Sequence, residues 1–577
     1  MRQLVIAAAL LFLTAALRAQ TPPAAATDTT RLADEFVLAT MERWPEVATY
    51  FGHPAARHER IFDNSPAAKR VWDQRVDALQ ARLRAIDRQA LANRPELVTY
   101  GFLEQAIGSE VDRRVCRAEL WGVDQMNGWQ VSLPVYLQRQ PIATDAERRA
   151  ALERLRQYPK FFDQEIAQLR AGLVARYSAP RIVVDRVMAQ LDALLESEPA
   201  KSPLLGAAAG SDNAAFRTSA IAVMTNEILP AVRRYRSFLG EYATAARTST
   251  AVAALPNGAA CYRALAHDST SLDLSPDEIH QLGLTMMSGI HDEVRALGQR
   301  SFSTGDATAL LNRVRTEPAF RFKSADEIMA LERAALARAR AAMPRYFGRL
   351  PKQDVIIEPF ADFEAPSMPP AMYRQGSLDG TKPGSFMVNL YKPTETPRAD
   401  AETIAFHEAI PGHHLQIALA VEQPAAHPIS QLFGSTAFIE GWGLYSERLA
   451  DEMGLYSDDL SRLGMLSAAA WRAARLVVDT GLHAKGWTRE QAVAYMRTNT
   501  AVGENTIQTE VDRYIIMPGQ ALAYMIGARE IQALRTKAQS TLGSRFDIRA
   551  FHDAVLGRGA VTLPTLRAQI EAWIAAQ

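Results

Sequence analysis

Residues 403–416 read Thr-Ile-Ala-Phe-His-Glu-Ala-Ile-Pro-Gly-His-His-Leu-Gln, and this stretch decides which fold and chemistry we expect. Three of the chain's 11 histidines lie here within eight residues. In the pattern His-Glu-x-x-His, two histidines on one helical face bind zinc and the adjacent glutamate polarises water. Here the residue four positions after His407 is Pro411, which cannot bind a metal. The motif is therefore His-Glu-x-x-Pro-Gly-His-His, and we expect a helix break at Pro411 and Gly412 that brings His413 or His414 back towards His407.

The segment before this motif interrupts a helical pattern. Seven prolines lie between residues 355 and 397, and residues 384–391 read Gly-Ser-Phe-Met-Val-Asn-Leu-Tyr. Aromatic and β-branched residues bounded by prolines predict a short strand or small sheet. We expect Asn389 to lie on an edge strand, where it would hold the backbone of an added peptide strand. The alternative is a surface hairpin that covers the core.

A third metal ligand is expected on the next long helix. Residues 438–447 read Phe-Ile-Glu-Gly-Trp-Gly-Leu-Tyr-Ser-Glu, and Glu440 follows His407 by 33 positions. A catalytic zinc takes three protein ligands and keeps one open position, which makes Glu440 the candidate. Glu447 lies on nearly the same helical face and is expected to orient a ligating histidine. The alternatives are surface histidines in a capped turn and a solvent-facing glutamate.

The remaining sequence predicts a mainly helical globular protein. Of 577 residues, 48% are hydrophobic and 22% charged, and 64 basic residues balance 64 acidic ones. This composition excludes a disordered chain and a polytopic membrane protein, and it indicates no nucleic-acid partner. From about residue 32 to residue 343, apolar residues recur at the three- and four-residue spacing of core-facing helices. Thr396 followed by Pro397 predicts the start of the motif helix.

The first 30 residues predict export. Residues 1–19 carry Arg2 and then an apolar run, which is typical of a signal peptide cleaved after Ala19. An uncleaved anchor is the alternative. No cysteine follows the apolar run, so no lipid anchor is expected, and residues 20–30 predict a flexible leader. We therefore expect a periplasmic or secreted protein that leaves the membrane once the signal peptide is removed.

The chain has two cysteines, Cys116 and Cys261. In an oxidising compartment we predict that they form one disulfide bond, with two separate buried thiols as the alternative. Neither cysteine has a histidine or a second cysteine at the spacing of a metal site. They are therefore expected to stabilise the fold and to take no part in the chemistry.

Several segments resemble one bacterial family, catalogued as domain of unknown function 885. They are the metal motif, the strand segment 384–393, and residues 438–447, 116–129, 478–496 and 510–527. That family is similar to mostly helical gluzincin peptidases such as carboxypeptidase Taq, oligopeptidases and angiotensin-converting enzyme. The resemblance implies a mainly α fold, with a helical gluzincin-like shell around a deep channel and a small β-sheet beside the active-site helix. Residues 31–350 would be an N-terminal helical region and residues 351–577 the metal-site region of one peptidase-like unit.

The resemblance also implies the roles of the motif residues. His407 and Glu440 would bind Zn²⁺, with His413 preferred over His414 as the remaining ligand. Glu408 would be the general base that takes a proton from the attacking water and delivers it to the leaving amine.

Residues 510–527 supply the other expected groups. Tyr524 is the first candidate and Tyr514 the second for a hydrogen bond to the oxyanion of the tetrahedral intermediate. Arg513 is the candidate for binding a substrate carboxylate through a two-pronged contact. For each tyrosine, packing in the core is the alternative.

These expectations combine into an exported zinc-dependent metallopeptidase. They leave open whether it acts as a carboxypeptidase, dipeptidase or oligopeptidase, which peptides it cleaves, and its oligomeric state. Because zinc chemistry serves other carbonyl compounds, a metal-dependent hydrolase of non-peptide amides is one alternative. A catalytically silent helical binding protein is the other.

Overall fold

The structure is a computed structural model that describes residues 24–577, except 93, 363–364, 366–367, 378–381, 424–426 and 433. The predicted signal peptide, residues 1–19, lies outside the described residues. The expected mainly α fold is confirmed, since one small sheet is inserted between two groups of helices. Among the helices that are described, none is both long enough and apolar enough to cross a membrane.

Two groups of helices flank the sheet. Those before it are α1 (Ala24–Arg43), α2 (Pro45–Tyr50), α3 (Pro66–Arg84), α4 (Glu96–Asp112), α5 (Trp129–Leu137), α6 (Asp145–Leu155), α7 (Tyr158–Val174), α8 (Arg181–Glu196), α9 (Ala214–Val223), α10 (Leu229–Ala245), α11 (Gly258–Thr270), α12 (Pro276–Ser301), α13 (Ala307–Thr316) and α14 (Ala325–Tyr346). Those after it are α15 (Ala401–Glu408), α16 (His413–Val421), α17 (Ile429–Leu432), α18 (Thr436–Glu452), α19 (Asp459–Ala484), α20 (Arg489–Asn499), α21 (Glu504–Ile516), α22 (Ala523–Leu542), α23 (Ile548–Leu556) and α24 (Leu563–Ala576).

One hydrophobic core joins most of these helices. It contains side chains from before and after the sheet, such as Trp129 of α5, Phe406 of α15 and Trp442 of α18. A second, smaller core forms where α1, α3 and α4 pack together, around Phe36 and Trp72. The regions 31–350 and 351–577 therefore share their main core.

The predicted flexible leader needs a correction. Residues 24–30, which belong to the predicted leader of residues 20–30, form the start of α1. Alanine has the highest helix propensity, and Ala26 and Thr29 are buried, Ala26 within the smaller core. The apolar stripe of α1 therefore begins earlier than the composition of the leader indicated.

The sheet has three short strands, β1 (Ile356–Pro359), β2 (Ala371–Arg374) and β3 (Ser385–Val388), in the order β1-β3-β2. β3 runs parallel to β1, with Ile356 opposite Ser385, and antiparallel to β2, with Tyr373 opposite Phe386. β3 is the strand expected in residues 384–391, but it is the central strand and not an edge. All four of its residues are buried, which explains its apolar composition.

The motif helix also starts later than expected. Phe322 N–H donates to the carbonyl of Thr396 and Arg398 N–H donates to that of Phe320, so residues 396–398 are extended. α15 then begins at Ala401, after Asp400. Thr396 and Pro397 do not start the helix, because hydrogen bonds to residues 320–322 hold this segment in an extended conformation.

The two cysteines are bonded to each other. Cys116, shortly after α4, and Cys261 of α11 form a disulfide across 145 positions, and no free cysteine is present in the chain. Both are buried beside Val252 and Tyr262. The bond fixes the end of the N-terminal helices to the main body.

Candidate metal centre

The helix break in the motif has a clear structure. α15 ends at Glu408, residues 409–412 turn, and α16 begins at His413. A Cβ atom at Gly412 would lie 1.9 Å from the carbonyl oxygen of His407, so only glycine allows the turn to fold this tightly. The turn returns His413 to the end of α15, as the expected break requires.

Four side chains of the motif and α18 meet at this point. The Nε2 atoms of His407 and His413 lie 3.6 Å and 3.8 Å from Oε2 of Glu440. The two imidazole rings are 4.6 Å apart between centroids. Glu408 completes a group with the two histidines in which the donor atoms lie within 4.8 Å of one another. Two nitrogens and two carboxylates therefore surround one small space.

Hydrogen bonds from α18 fix the motif in place. Oε1 of Glu447 lies 2.8 Å from Nδ1 of His407, and this contact directs Nε2 of the ring towards Glu440. Trp442 donates from Nε1 to the carbonyl of Pro411 at 2.9 Å, and Ser446 donates to that of Phe406 at 3.0 Å. The segment 440–447 thus anchors both α15 and the turn after it.

Two glycines of the same segment make room for this contact. A Cβ at Gly443 would lie 2.6 Å from Cε1 of His407. A Cβ at Gly441 would lie 2.5 Å from the main chain of Gly527, where α22 packs along α18. In residues 440–443, side chains that contact the motif or the centre therefore alternate with glycines that leave room for a neighbouring group.

The electrostatics of the centre favour positive charge between the carboxylates. Burial acts to lower the pKa of His407, but the neighbouring Glu440 and Glu447 outweigh it and raise that pKa to about 10. Burial acts to raise the pKa of Glu440, but His407 and His413 outweigh it and lower that pKa to about 2. For His413, burial and the charge of His407 lower the pKa. The carboxylate of Glu440 thus stays ionised and requires a cation beside it.

His414, the rival of His413, is directed elsewhere. Its Nδ1 lies 3.2 Å from the hydroxyl of Tyr373 and its Nε2 lies 3.3 Å from the carbonyl of Gln353. Consecutive residues of a helix point about 100° apart, so His413 and His414 cannot both reach the centre. The structure brings His413 to Glu440 and places His414 against the sheet.

Glu408 is held by a residue that the sequence did not indicate. The main-chain N–H of Tyr373 donates to Oε2 of Glu408 at 2.9 Å. This N–H points away from β3, so it lies on the outer edge of β2. A tyrosine in a four-residue strand carries no recognisable pattern, and only the register of the sheet reveals it.

Two candidates from α21 are already engaged. The hydroxyl of Tyr514 donates to Glu510 at 2.7 Å and accepts from Nε of Arg475 at 3.0 Å. Arg513 donates twice to Glu510 and also contacts Gln520. These groups form a buried network in place of the expected oxyanion and carboxylate sites.

Tyr524 has a different environment. It is half-buried at the start of α22, and the guanidinium of Arg475 lies 4.3 Å from its ring centroid. Arg475 is buried, its Nη1 atom has no hydrogen-bond partner in the described part of the chain, and its charge acts on Glu440. Tyr524 and Arg475 therefore lie on the Glu440 side of the centre.

Asn389 does not lie on an edge. Its Nδ2 donates to the carbonyls of Ala365 and Met368 at 2.8 and 2.9 Å, and its Oδ1 accepts from Tyr391 N–H at 2.9 Å. The side chain therefore stabilises the loop between β1 and β2. Its amide is used by this chain, which corrects the expected contact with substrate.

A cavity of about 510 Å³ opens on the other side of the centre. His407 and Glu408 line it together with Ala371 of β2, Trp471 of α19 and the first residues of α21. The candidate centre is thus accessible from a space large enough for a small molecule or a short peptide segment.

Comparisons with known proteins agree on the fold. A protein from Colwellia psychrerythraea, provisionally described as a lipoprotein, matches with a TM-score of 0.83 and 26% identity over 96% of this chain and 100% of its own. A protein of unknown function from Shewanella oneidensis, described in the same way, matches with a TM-score of 0.78 and 17% identity over 93% and 98%. No curated protein matches the chain. The model of one family, described as bacterial protein of unknown function (DUF885), matches residues 45–570, and the chain therefore belongs to this family.

Proposed function

We propose that this protein is an exported zinc-dependent metallopeptidase. The observation that carries the proposal is the convergence of His407 Nε2, His413 Nε2 and Glu440 Oε2, within 3.6–3.8 Å across the two histidine–glutamate pairs. Two histidines and one glutamate are a common ligand set for catalytic zinc.

The chemistry of these donors fits zinc. A ligating histidine usually donates its other ring N–H to a carboxylate, and Glu447 receives this bond from His407. Nitrogen and carboxylate ligands in a buried pocket suit Zn²⁺ better than Ca²⁺ or Mg²⁺, which prefer oxygen ligands. His407, His413 and Glu440 would hold the ion.

The remaining residues would carry out the proton and charge steps. When bound, zinc supplies a Lewis acid that polarises a carbonyl and lowers the pKa of water. Glu408 accepts a proton on the oxygen that Tyr373 N–H does not occupy, and later donates it to the leaving amine. Tyr524 is the candidate donor to the oxyanion. Tyr514 and Arg513 stay in their network and position Arg475.

Two features support peptides as substrates. The cavity beside His407 is lined by Ala371 of β2, which is an edge strand of the sheet. An extended peptide can add to such an edge by main-chain hydrogen bonds. We therefore assign the contact with the substrate backbone to this edge of β2 and not to Asn389. Cleavage of a peptide bond is the reaction that we propose for this ligand set and base.

Export is part of the proposal. The disulfide between Cys116 and Cys261 requires an oxidising compartment to form and persist. Residues 1–19 have the composition of a signal peptide, and the structural relatives are described as lipoproteins. The periplasm or the cell exterior fits these three observations.

Metal analysis of matched histidine variants tests the ligand set. We expect about one zinc per wild-type chain, loss of zinc in His413→Gln, and full zinc in His414→Gln, because only His413 faces Glu440. Zinc retained by His413→Gln and lost by His414→Gln would refute the assignment. Zinc without chelator-sensitive cleavage of a peptide library would favour a hydrolase of other amides.

Glu408→Gln tests the mechanism. The variant keeps the shape of the side chain and removes the base, so we expect normal zinc content and a fall in kcat of about 10²–10⁴-fold. Glu440→Gln should instead lose zinc and activity together. Near-normal turnover by zinc-loaded Glu408→Gln contradicts the mechanism.

A further inference from the structure

The cavity beside the centre contains carboxylates that the proposed mechanism does not use. Asp400, Ile404 and His407 line it from one face of α15, because they are spaced four and three residues apart. Seven residues of helix separate Asp400 from His407 by about 10 Å. A chain segment extends at most about 3.3–3.6 Å per residue. If the bond to be cleaved lies at His407, a substrate group two or three residues away can therefore reach Asp400.

Asp400 carries an unpaired charge into this space. Its side chain does not cap α15, and no hydrogen bond to its carboxylate is present in the described part of the chain. Burial raises the pKa of Asp400 to about 6, although Arg472 and Arg321 act to lower it. The group is therefore ionised at neutral pH, and a half-buried charge without an ion-pair partner becomes more favourable when a cation binds beside it.

Glu332 of α14 lines the same cavity, and one oxygen of its carboxyl group has no partner among the described residues. Only 3% of its surface is exposed, and its Oε2 has no hydrogen-bond partner among the described residues. Burial, with a smaller contribution from Glu402, raises the pKa of Glu332 well above its ordinary value. An entering cation would favour the ionised form of this carboxyl group as well.

The two arginines of the cavity wall are already engaged. Arg321 donates to the carbonyl of Glu395 at 3.0 Å and to that of Arg315. Arg472 contacts the carbonyl of Ala468 at 3.4 Å and lies 3.8 Å from Glu447. Neither forms an ion pair with Asp400 or Glu332.

Apolar side chains line the cavity beside the carboxylates. Phe322, Ile328, Val388 and Ile404 line the cavity together with Asp400 and Glu332. An apolar wall next to a carboxylate suits the aliphatic carbons of an alkylammonium group, or those that precede a guanidinium.

We propose that Asp400 and Glu332 bind a cationic group of the substrate, an ammonium or a guanidinium. This inference rests on the proposed function, because it assigns the substrate class of the same site. The cation is either the amino terminus of a peptide or the side chain of a lysine or arginine.

Calorimetric binding to the zinc-loaded Glu408→Gln protein tests this inference without turnover. The probes are three sets of tetrapeptides: tetra-alanine with a free amino terminus, N-acetylated tetra-alanine, and N-acetylated peptides with one lysine or its neutral analogue norleucine at each position. Preference for the first set identifies the amino terminus, and preference for lysine over norleucine at one position identifies a side chain.

Asp400→Asn and Glu332→Gln, each added to this background, give the decisive comparison. Removing a charged hydrogen-bond partner weakens binding by about 10–100-fold. We expect this loss for the cationic peptide and a change within about twofold for its neutral partner. Asp400 makes no capping bond, so asparagine removes no structural contact. Glu332→Gln provides a second measurement should Asp400→Asn fold poorly.

Glu395→Gln is the matched control. Glu395 lines the same cavity, but its side chain is 68% exposed and already pairs with Lys392. Its replacement should change the affinity of no peptide by more than about twofold, since exposed pairs contribute little. A loss for cationic peptides as large as that caused by Asp400→Asn would mean that general cavity charge is responsible, and would overturn the assignment.

The outcomes separate this inference from the proposed function. Equal effects of Asp400→Asn and Glu332→Gln on cationic and neutral peptides, or no effect on either, overturn the inference and leave zinc-dependent cleavage standing. Charge-selective binding by a wild-type protein that cleaves no peptide rejects the peptidase and keeps the cation site. Absence of binding by every peptide overturns both.

Discussion

The helices around the metal centre and the N-terminal helices use glycine differently. On α18, a Cβ at Gly443 would lie 2.6 Å from His407, and one at Gly441 would lie 2.5 Å from the main chain of Gly527. On α4, a Cβ at Gly108 would have no described atom within 4 Å. Gly443 and Gly441 are required by what packs against them, whereas Gly108 only lowers helix stability. Near the centre, close contacts with neighbouring groups, and not helix propensity, therefore require glycine at these positions.

Of the changes that test this contrast, Gly443→Ala is expected to have the largest effect. The new methyl group must displace the imidazole of His407, which Glu447 holds at 2.8 Å. We expect zinc affinity to fall by about 10–100-fold, as for other changes that misorient a ligand. Activity at limiting zinc should fall in parallel. A chelator competition titration measures the affinity, and wild-type zinc binding would show that His407 moves freely.

Removal of the disulfide should loosen the attachment of the N-terminal helices α1–α4 to α11. Replacing Cys116 and Cys261 by serine should lower the free energy of unfolding by about 2–5 kcal/mol, the usual loss when a native disulfide is removed. Amide hydrogen exchange should increase in α1–α4 more than in α15–α19. Denaturant unfolding gives the free energy, and two free thiols in the wild-type protein by mass spectrometry would contradict the bond.

A half-buried carboxyl group on α7, next to the segment before α3, gives a pH-dependent test. Asn64 donates to Oε1 of Glu165 at 2.6 Å, and burial raises the pKa of Glu165 from 4.5 to about 7. Between these values the folded protein binds more protons than the unfolded chain, so the free energy of unfolding falls as pH rises through this window.

Glu165→Gln should remove that dependence. We expect the variant to be more stable than wild type by about 1–2 kcal/mol at pH 8 and similar to it at pH 5. Thermal or denaturant unfolding at the two pH values measures the difference. An equal effect at both would mean that Glu165 is ionised throughout.

Much of the site could be predicted because its chemistry is local in sequence. His407, Glu408 and His413 lie within seven residues, and Pro411 with Gly412 indicated the break between them. The choice between His413 and His414 could not be made, because it depends on the path of residues 409–412 and on where Tyr373 lies. The mainly α fold followed from apolar spacing alone.

Other features depend on pairing between distant segments. The composition of β3 indicated a strand, but its central position follows from hydrogen bonding to β1 and β2, whose sequences carry little strand pattern. Tyr514 and Arg513 resembled site residues, yet Glu510, one turn earlier, engages both. Whether a charged or polar residue is held by an internal partner therefore depends on the fold and could not be predicted from the residue type alone.

Gly108→Ala should have the smallest effect and the opposite sign. Alanine in a helix is more stable than glycine by about 0.5–1 kcal/mol, because it loses less backbone entropy on folding. Since no described atom lies within 4 Å of the added methyl group, nothing in the described structure opposes this gain. We expect a small increase in the free energy of unfolding and no change in zinc affinity. Destabilisation by Gly108→Ala would mean that this face of α4 packs against something, and the contrast with Gly443 would then be one of degree only.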